Sequence, residues 1–153
     1  MSNTFNILDK ELTRIKKGVI DTPVTTSVTP AEVTLFTYVF APNEISNNAV
    51  ICSQLSLVTT SILLTNRWRI NAANGANVGT VAADTYIMDF LMIGNGASTK
   101  PSIMAVGNGR TFTNSRGSAY SINFSDGFTL TFNVASSGAH VTTLEQLILD
   151  VYV

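Results

Sequence analysis

The chain has 153 residues, a formal net charge of −1 and one cysteine, with 45% hydrophobic and only 12% charged residues. That length supports one domain burying roughly 70% of the surface its unfolded chain exposes, and a charged fraction about half the usual ~25% leaves Ser, Thr and Asn to keep the surface wet. The charge balance excludes the basic stripe of a nucleic-acid binder, and a single cysteine excludes an intrachain disulfide.

The opening "MSNTFNILDK" places polar residues and an acid where a secretory signal needs an apolar core, so no leader is expected. Phe5, Leu8, Leu12, Ile15 and Val19 follow at spacings of 3, 4, 3 and 4, a heptad register. It predicts a helix over residues 5–17, ended by Gly18, in an N-terminal anchor or trimerisation segment of residues 1–20. The helix is either one strand of a coiled coil, with Glu11 and Lys16 at g and e, or an amphipathic helix packed on its own domain. Residues 21–33 hold Pro23 and Pro30 between β-branched residues and predict an extended linker.

A β-sandwich domain is expected over 34–153. Strands are predicted at 33–40, 47–58, 61–71, 85–93, 102–106, 118–124 and 128–135, with a final strand reaching the last residue. Between them, "AANGANVGTVAAD", "GNGASTKP" and "GNGR" read as loops. "FSDGF", between two alternating runs, predicts a hairpin of 118–124 with 128–135. In the final strand Leu147, Leu149, Val151 and Val153 share a face suited to a core, whereas Ile148, Asp150 and Tyr152 share one suited to contact with a partner subunit. About eight short strands and no helical pattern after residue 20 predict an all-β, antiparallel, jelly-roll-like sandwich. The most apolar window, "AVICSQLSLVTTSILLT", is broken by Gln54 and falls short of the ~20 residues of a membrane helix.

Catalytic and metal patterns fail on residue counts. "GNGAST" and "GNGRTF" lack the third glycine and the helix of a phosphate-binding loop. His140 is the only histidine, so a triad has one candidate base, but no Gly-x-Ser-x-Gly elbow is present and Cys52 lies within a strand; one Cys and one His do not make the usual zinc cluster, and no cofactor is expected. The carboxylates Asp84, Asp89, Asp126, Glu145 and Asp150 have no spacing that pairs them. Trp68, in "NRWRIN", has two readings. Pointing inward it is a core aromatic with Arg67 and Arg69 on the outer face; in the opposite phase it is exposed, where it could stack on a sugar.

"TLFTYVFAPNEIS" (34–46) is similar to the opening strand and Pro-Asn turn of the trimeric head-fibre and fibre-tip proteins of tailed bacteriophages. "TTLEQLILDVYV" (142–153) is similar to their closing Thr-Leu-Glu strand, with "TNRWRINAANGANVGT" in place of their variable middle. The N-terminus is shorter than a fibre shaft, which favours a short spike, head fibre or decoration protein. The resemblance implies a homotrimer located in the virion, an N-terminal segment docked to a capsid or tail protein, and loops that meet host glycans; the missing catalytic constellation, basic stripe and membrane span add the expectation of no enzymatic activity, no nucleic-acid binding and no membrane insertion. Phe5, Leu8, Leu12 and Ile15 are then the oligomerisation or docking residues, and Trp68, Arg67, Arg69, Asn95, Asn108 and Arg110 the candidates for surface or glycan contact. The loops 72–84, 94–101 and 107–117 would carry that contact. The alternative is a monomeric carbohydrate-binding module, marked by an exposed Trp68 beside Tyr86 or Tyr120.

Overall fold

A computed structural model describes residues 14–20, 22–28, 32–60, 64–71, 77–81, 84–95, 98–107, 110–111, 115–116, 122–136 and 138–152. They form strands β1 (Arg14–Ile20), β2 (Val24–Val28), β3 (Val33–Phe40), β4 (Val50–Thr59), β5 (Leu64–Ile70) and β6 (Asn77–Val81). β7 (Asp84–Asn95), β8 (Ser98–Gly107), β9 (Arg110–Thr111), β10 (Ser115–Arg116), β11 (Phe128–Ser136) and β12 (His140–Tyr152) complete the set. An eight-stranded sheet runs β1-β12-β4-β7-β8-β10, with β2 also on β12 and β9 on β8, and a four-stranded sheet runs β3-β11-β5-β6. All pairings are antiparallel, and the expected β-sandwich is the architecture found.

Alternation builds the interior. Ile51, Leu55 and Leu57 of β4, Tyr86, Met88, Phe90 and Met92 of β7, and Leu147, Leu149 and Val151 of β12 are buried on one side of the larger sheet. Leu64, Trp68 and Ile70 of β5 and Phe128, Leu130, Phe132 and Val134 of β11 are buried on the facing side of the smaller one. Trp68 joins the layers, its ring stacked on Phe90 at 4.6 Å and tilted against Phe132 at 5.2 Å, with Phe36 edge-on at 6.3 Å. A second aromatic group, Phe40, Phe128 and Phe124, stacks at 4.6 and 5.2 Å and closes one end.

Several expectations are corrected. Arg14–Ile20 is a strand rather than the end of a helix, and the rest of the expected helix, with Phe5, Leu8 and Leu12, lies outside the described residues. Ile15, expected on a helix, pairs opposite Val151 within the sheet. The edge of β12 offers a continuous ladder, and Ile15, Val19 and Ile20 are β-branched, so sheet pairing outweighs a short, marginal helix. Gly18 permits close packing there, since a Cβ on it would sit 3.1 Å from the ring of Phe36. The 21–33 segment holds β2, which pairs with the first half of β12 (His140↔Val28 to Leu144↔Val24) while β1 pairs with the second half. Pro23 stands in the gap between them, where its missing N–H costs no ladder bond. The same chain therefore covers the outer edge of the closing strand. Lys17 ties β1 to the turn after β3 through a 2.9 Å ion pair with Glu44, which also accepts from the Tyr38 hydroxyl and the Ala41 amide.

The hairpin at "FSDGF" does not form: both edges of β11 are taken by β3 and β5, and Phe124–Asp126 is a 3-10 turn that buries Phe124. Gly127, at φ 78, allows this turn to press on the Phe40 and Pro42 backbone, where a Cβ would fall within 2.8 Å of Phe40 O and Pro42 N. The expected loops are largely strand. β6 runs through 77–81, and β7 and β8 extend to an Asn95↔Ser98 pair.

Candidate functional site

Because Leu64, Asn66, Trp68 and Ile70 of β5 are buried, the residues between them emerge on the opposite side of the sheet. Arg67 and Arg69 therefore share the outer face, as the inward reading of Trp68 requires. On the adjoining β11 the same alternation puts Thr129, Thr131 and Asn133 outward, with Thr131 opposite Arg69 and Asn133 opposite Arg67. On its other edge β11 meets β3, where a bulge between Phe132 and Asn133 brings Thr34 opposite Asn133. Glu32 precedes β3 on the same outer face, and Asn71 follows β5.

These side chains line a groove of about 510 Å³, bounded by Glu32, Thr34, Arg69, Asn71, Thr129, Thr131 and Asn133. That volume is within the ~300–1,000 Å³ of small-molecule sites. Glu32 is its electrostatic centre. It accepts from Arg69 through Nε and from Arg69 Nη2 at 2.5 Å, and from Arg67 Nη1 at 3.0 Å. The hydrogen bond from Arg69 is the main cause that holds the Glu32 carboxyl below its ordinary value, against the opposing effect of burial. Arg69 is pushed up by the same bond. A carboxylate held ionised this way can accept hydrogen bonds but has no proton to give at neutral pH.

The groove floor is ordered by its own hydrogen bonds. Thr34 Oγ1 donates to Asn133 Oδ1 at 2.5 Å, and Asn133 Nδ2 donates to Thr131 Oγ1 at 2.8 Å. At the end of β5, Asn71 takes φ 49, a left-handed conformation that asparagine tolerates better than most residues. Its N–H donates to the Thr129 carbonyl at 2.9 Å, and its Oδ1 accepts from the Thr129 amide at 2.8 Å. Hydroxyl, amide, carboxylate and guanidinium groups thus line one preformed surface.

Of the expected contact residues, Arg69 lines the groove and Arg67 stands beside it, bonded to Glu32. Trp68 is 1% exposed, so it is no stacking platform; Tyr86 is 2% exposed, and Tyr120 lies outside the described residues. Asn95 ends β7 and Arg110 begins β9, both in the other sheet, while Asn108 lies outside the described residues. Sequence reading missed Glu32, Thr34, Asn71, Thr129, Thr131 and Asn133. The polar positions of "FTLTFNVA" were visible as the outer side of a strand, but the β3-β11-β5 order that unites them was not.

The residues considered for catalysis have other roles. His140 is buried, its Nδ1–H donating to the Gly138 carbonyl at 3.0 Å. Cys52 is half-buried on the outer side of β4; burial first, then the charges of Asp150 and Asp89, push its thiol up, away from the reactive thiolate. Asp89 accepts from Gln54 Nε2 at 3.2 Å and Glu145 from Ser56 Oγ at 2.8 Å. Among the described residues no group of three or more His, Cys, Asp or Glu side chains could hold a metal, and no helix is long and apolar enough to cross a membrane.

No family model matches the chain, and no curated protein matches it in sequence. Solved structures share its fold. The seed lectin of Lotus tetragonolobus is similar at a TM-score of 0.51 and 6% identity, with 95% of each chain covered. Basic winged bean lectin, solved with Tn-antigen, is similar at 0.50 and 5% identity, with 91% of this chain and 98% of the lectin covered. The chain has the lectin-like β-sandwich fold.

Proposed function

We propose that this chain is a non-enzymatic, saccharide-binding β-sandwich that holds its ligand in the groove of the four-stranded sheet. One observation carries the reading: Glu32, Thr34, Asn71, Thr131 and Asn133 present donors and acceptors across three adjacent strands, over a floor ordered by its own hydrogen bonds. Such a surface matches a ligand rich in hydroxyls, because preformed polar groups need little reordering on binding. The use of the same fold by winged bean lectin toward Tn-antigen supports it as precedent for the scaffold. The binding differs from a stacking-type module in resting on hydrogen bonds alone, since Trp68 belongs to the core.

A glycan array tests this with the full chain and a Thr34→Val, Thr131→Val double variant, which removes two groove hydroxyls at nearly constant shape. Loss of at least tenfold in binding is expected, read at a temperature where the variant, lowered in melting temperature by the lost bonds to Asn133, is still folded. An array without binders, or binders that the variant retains, would refute the reading.

The virion setting implied by the fibre-tip resemblance is a second reading, with the groove as the adhesive surface of a homotrimer. It draws on Val19 and Ile87, 46% and 54% exposed at two separate places on the outer side of the eight-stranded sheet, which an assembly would bury. Light scattering of the full chain decides it: a trimeric mass supports the assembly and a monomeric mass removes it.

A further inference from the structure

The charges around the groove do not balance. Two guanidiniums, Arg67 and Arg69, meet one carboxylate, Glu32, so this patch carries a positive excess in a chain whose formal net charge is −1. The two arginines also differ. Arg69 engages Glu32 as a fork, through Nε and Nη2, and so occupies both carboxylate oxygens in the arrangement that best fits a guanidinium. Arg67 reaches the same carboxylate through Nη1 alone, and its Nε–H is shielded from solvent and has no hydrogen-bond partner. An unpaired, desolvated donor on a charged group is costly, and a second acceptor oxygen would relieve it. The Arg67 side chain is 32% exposed and stands beside the groove, bonded to Glu32 of its lining, so part of its guanidinium is open to a ligand that fills the groove.

We infer that the groove selects an acidic saccharide, with the Arg67 guanidinium receiving the anionic group of the sugar while Thr34, Thr131, Asn133 and Asn71 receive its hydroxyls. The inference rests on the saccharide-binding reading and names the class of sugar. Glu32 does not cancel the attraction, because its charge is already matched by Arg69. It instead limits where the ligand's anion can sit, to the Arg67 side and away from the Glu32–Arg69 fork. A planar carboxylate suits that position, since it can take two parallel N–H groups from one guanidinium.

The test is an array of uronate oligosaccharides of several sugars, each printed beside its methyl ester, with sulfated oligosaccharides beside their desulfated forms. Each pair differs in charge and little else. The full chain is expected to bind the uronate of at least one pair about tenfold more tightly than its ester, a difference of about 1.4 kcal/mol, with the advantage shrinking as salt is raised. Arg67→Gln should lower binding of the acid to the level of the ester. Arg67→Lys, which keeps the charge without the fork, should lose most of the preference while keeping its salt dependence. Melting temperatures of both variants within a few degrees of wild type exclude a folding defect. A preference confined to the sulfated members keeps the anionic class and reassigns the group. Equal binding within every pair, or a preference that survives Arg67→Gln, overturns the inference while leaving the saccharide-binding reading intact, whereas no binding to any member overturns both.

Discussion

The two outer faces of the sandwich follow the same alternation and differ in shape and in how their polar groups are ordered. On the four-stranded sheet the outward residues include Thr34, Thr37, Thr129, Thr131, Asn133, Arg67 and Arg69, several of them hydrogen-bonded to one another across strands, with the exposed Val39 opposite Thr129. On the eight-stranded sheet Val19, paired with the half-buried Ile148, and Ile87, paired with Ser56, stand exposed among polar side chains, and a dimple of only about 130 Å³ is lined by Gln54, Leu55, Ser56, Ile87, Gln146 and Ile148. The first face is shaped to hold a small polar ligand. The second is too shallow for one and suits a flat contact. Inward positions are constrained by a shared core, so the outward ones were free to diverge, and function is better sought in their differences than in the fold.

That contrast depends on the phase of β5, and the largest expected effect comes from breaking it. Trp68→Ala should destabilise the chain by about 3–5 kcal/mol, read by denaturant unfolding. It removes the ring that stacks on Phe90 and Phe132. A loss under ~1 kcal/mol would mean that the tryptophan is not the bridge between the sheets.

A smaller effect, about 1 kcal/mol, is expected from Glu32→Gln, because the arginine pairs are partly exposed and screened by water. It should also change the pH profile. The Glu32 carboxyl is held below 4.5, so the folded chain binds fewer protons there than the unfolded one. The contribution is complete above about pH 4.5 and fades as pH falls through the lower folded value. Stability of wild type and variant should therefore converge in acid, and curves that stay parallel down to strongly acidic pH would show that this carboxylate does not titrate as described.

On the other face, Ile87→Lys should change monomer stability by no more than about 0.5 kcal/mol, since the side chain is 54% exposed. If the face around Ile87 is an assembly surface, the same substitution should reduce the solution mass, whereas a large loss of monomer stability would show that Ile87 packs more closely than its exposure indicates. The smallest effect sharpens the picture of Cys52 beneath that face. With its thiol pushed up by burial and by Asp150 and Asp89, it should react with iodoacetamide at neutral pH several times more slowly than a free thiol. Rapid labelling would argue against this environment.

The sequence by itself determined the strand-rich class and most strand cores. "VTLFTYVF" and "FTLTFNVA" match β3 and β11 nearly residue for residue, and the core face of Leu147, Leu149 and Val151 was visible because alternation is a property of the local chain. Where strands pair is not local. Arg14–Ile20 carries a heptad spacing and still becomes a strand, because an open edge of β12 lies beside it; "FSDGF" carries a hairpin signal and still becomes a 3-10 turn, because β3 and β5 already hold both edges of β11. The groove was legible only in fragments for the same reason. Arg67 and Arg69 could be placed on one face from the alternation around Trp68, but Glu32 is 35 and 37 residues away from them, and Asn133 lies 99 residues after Thr34. Alternation decides which way a side chain points, and only the packing of one sheet on another decides which distant strands lie next to it.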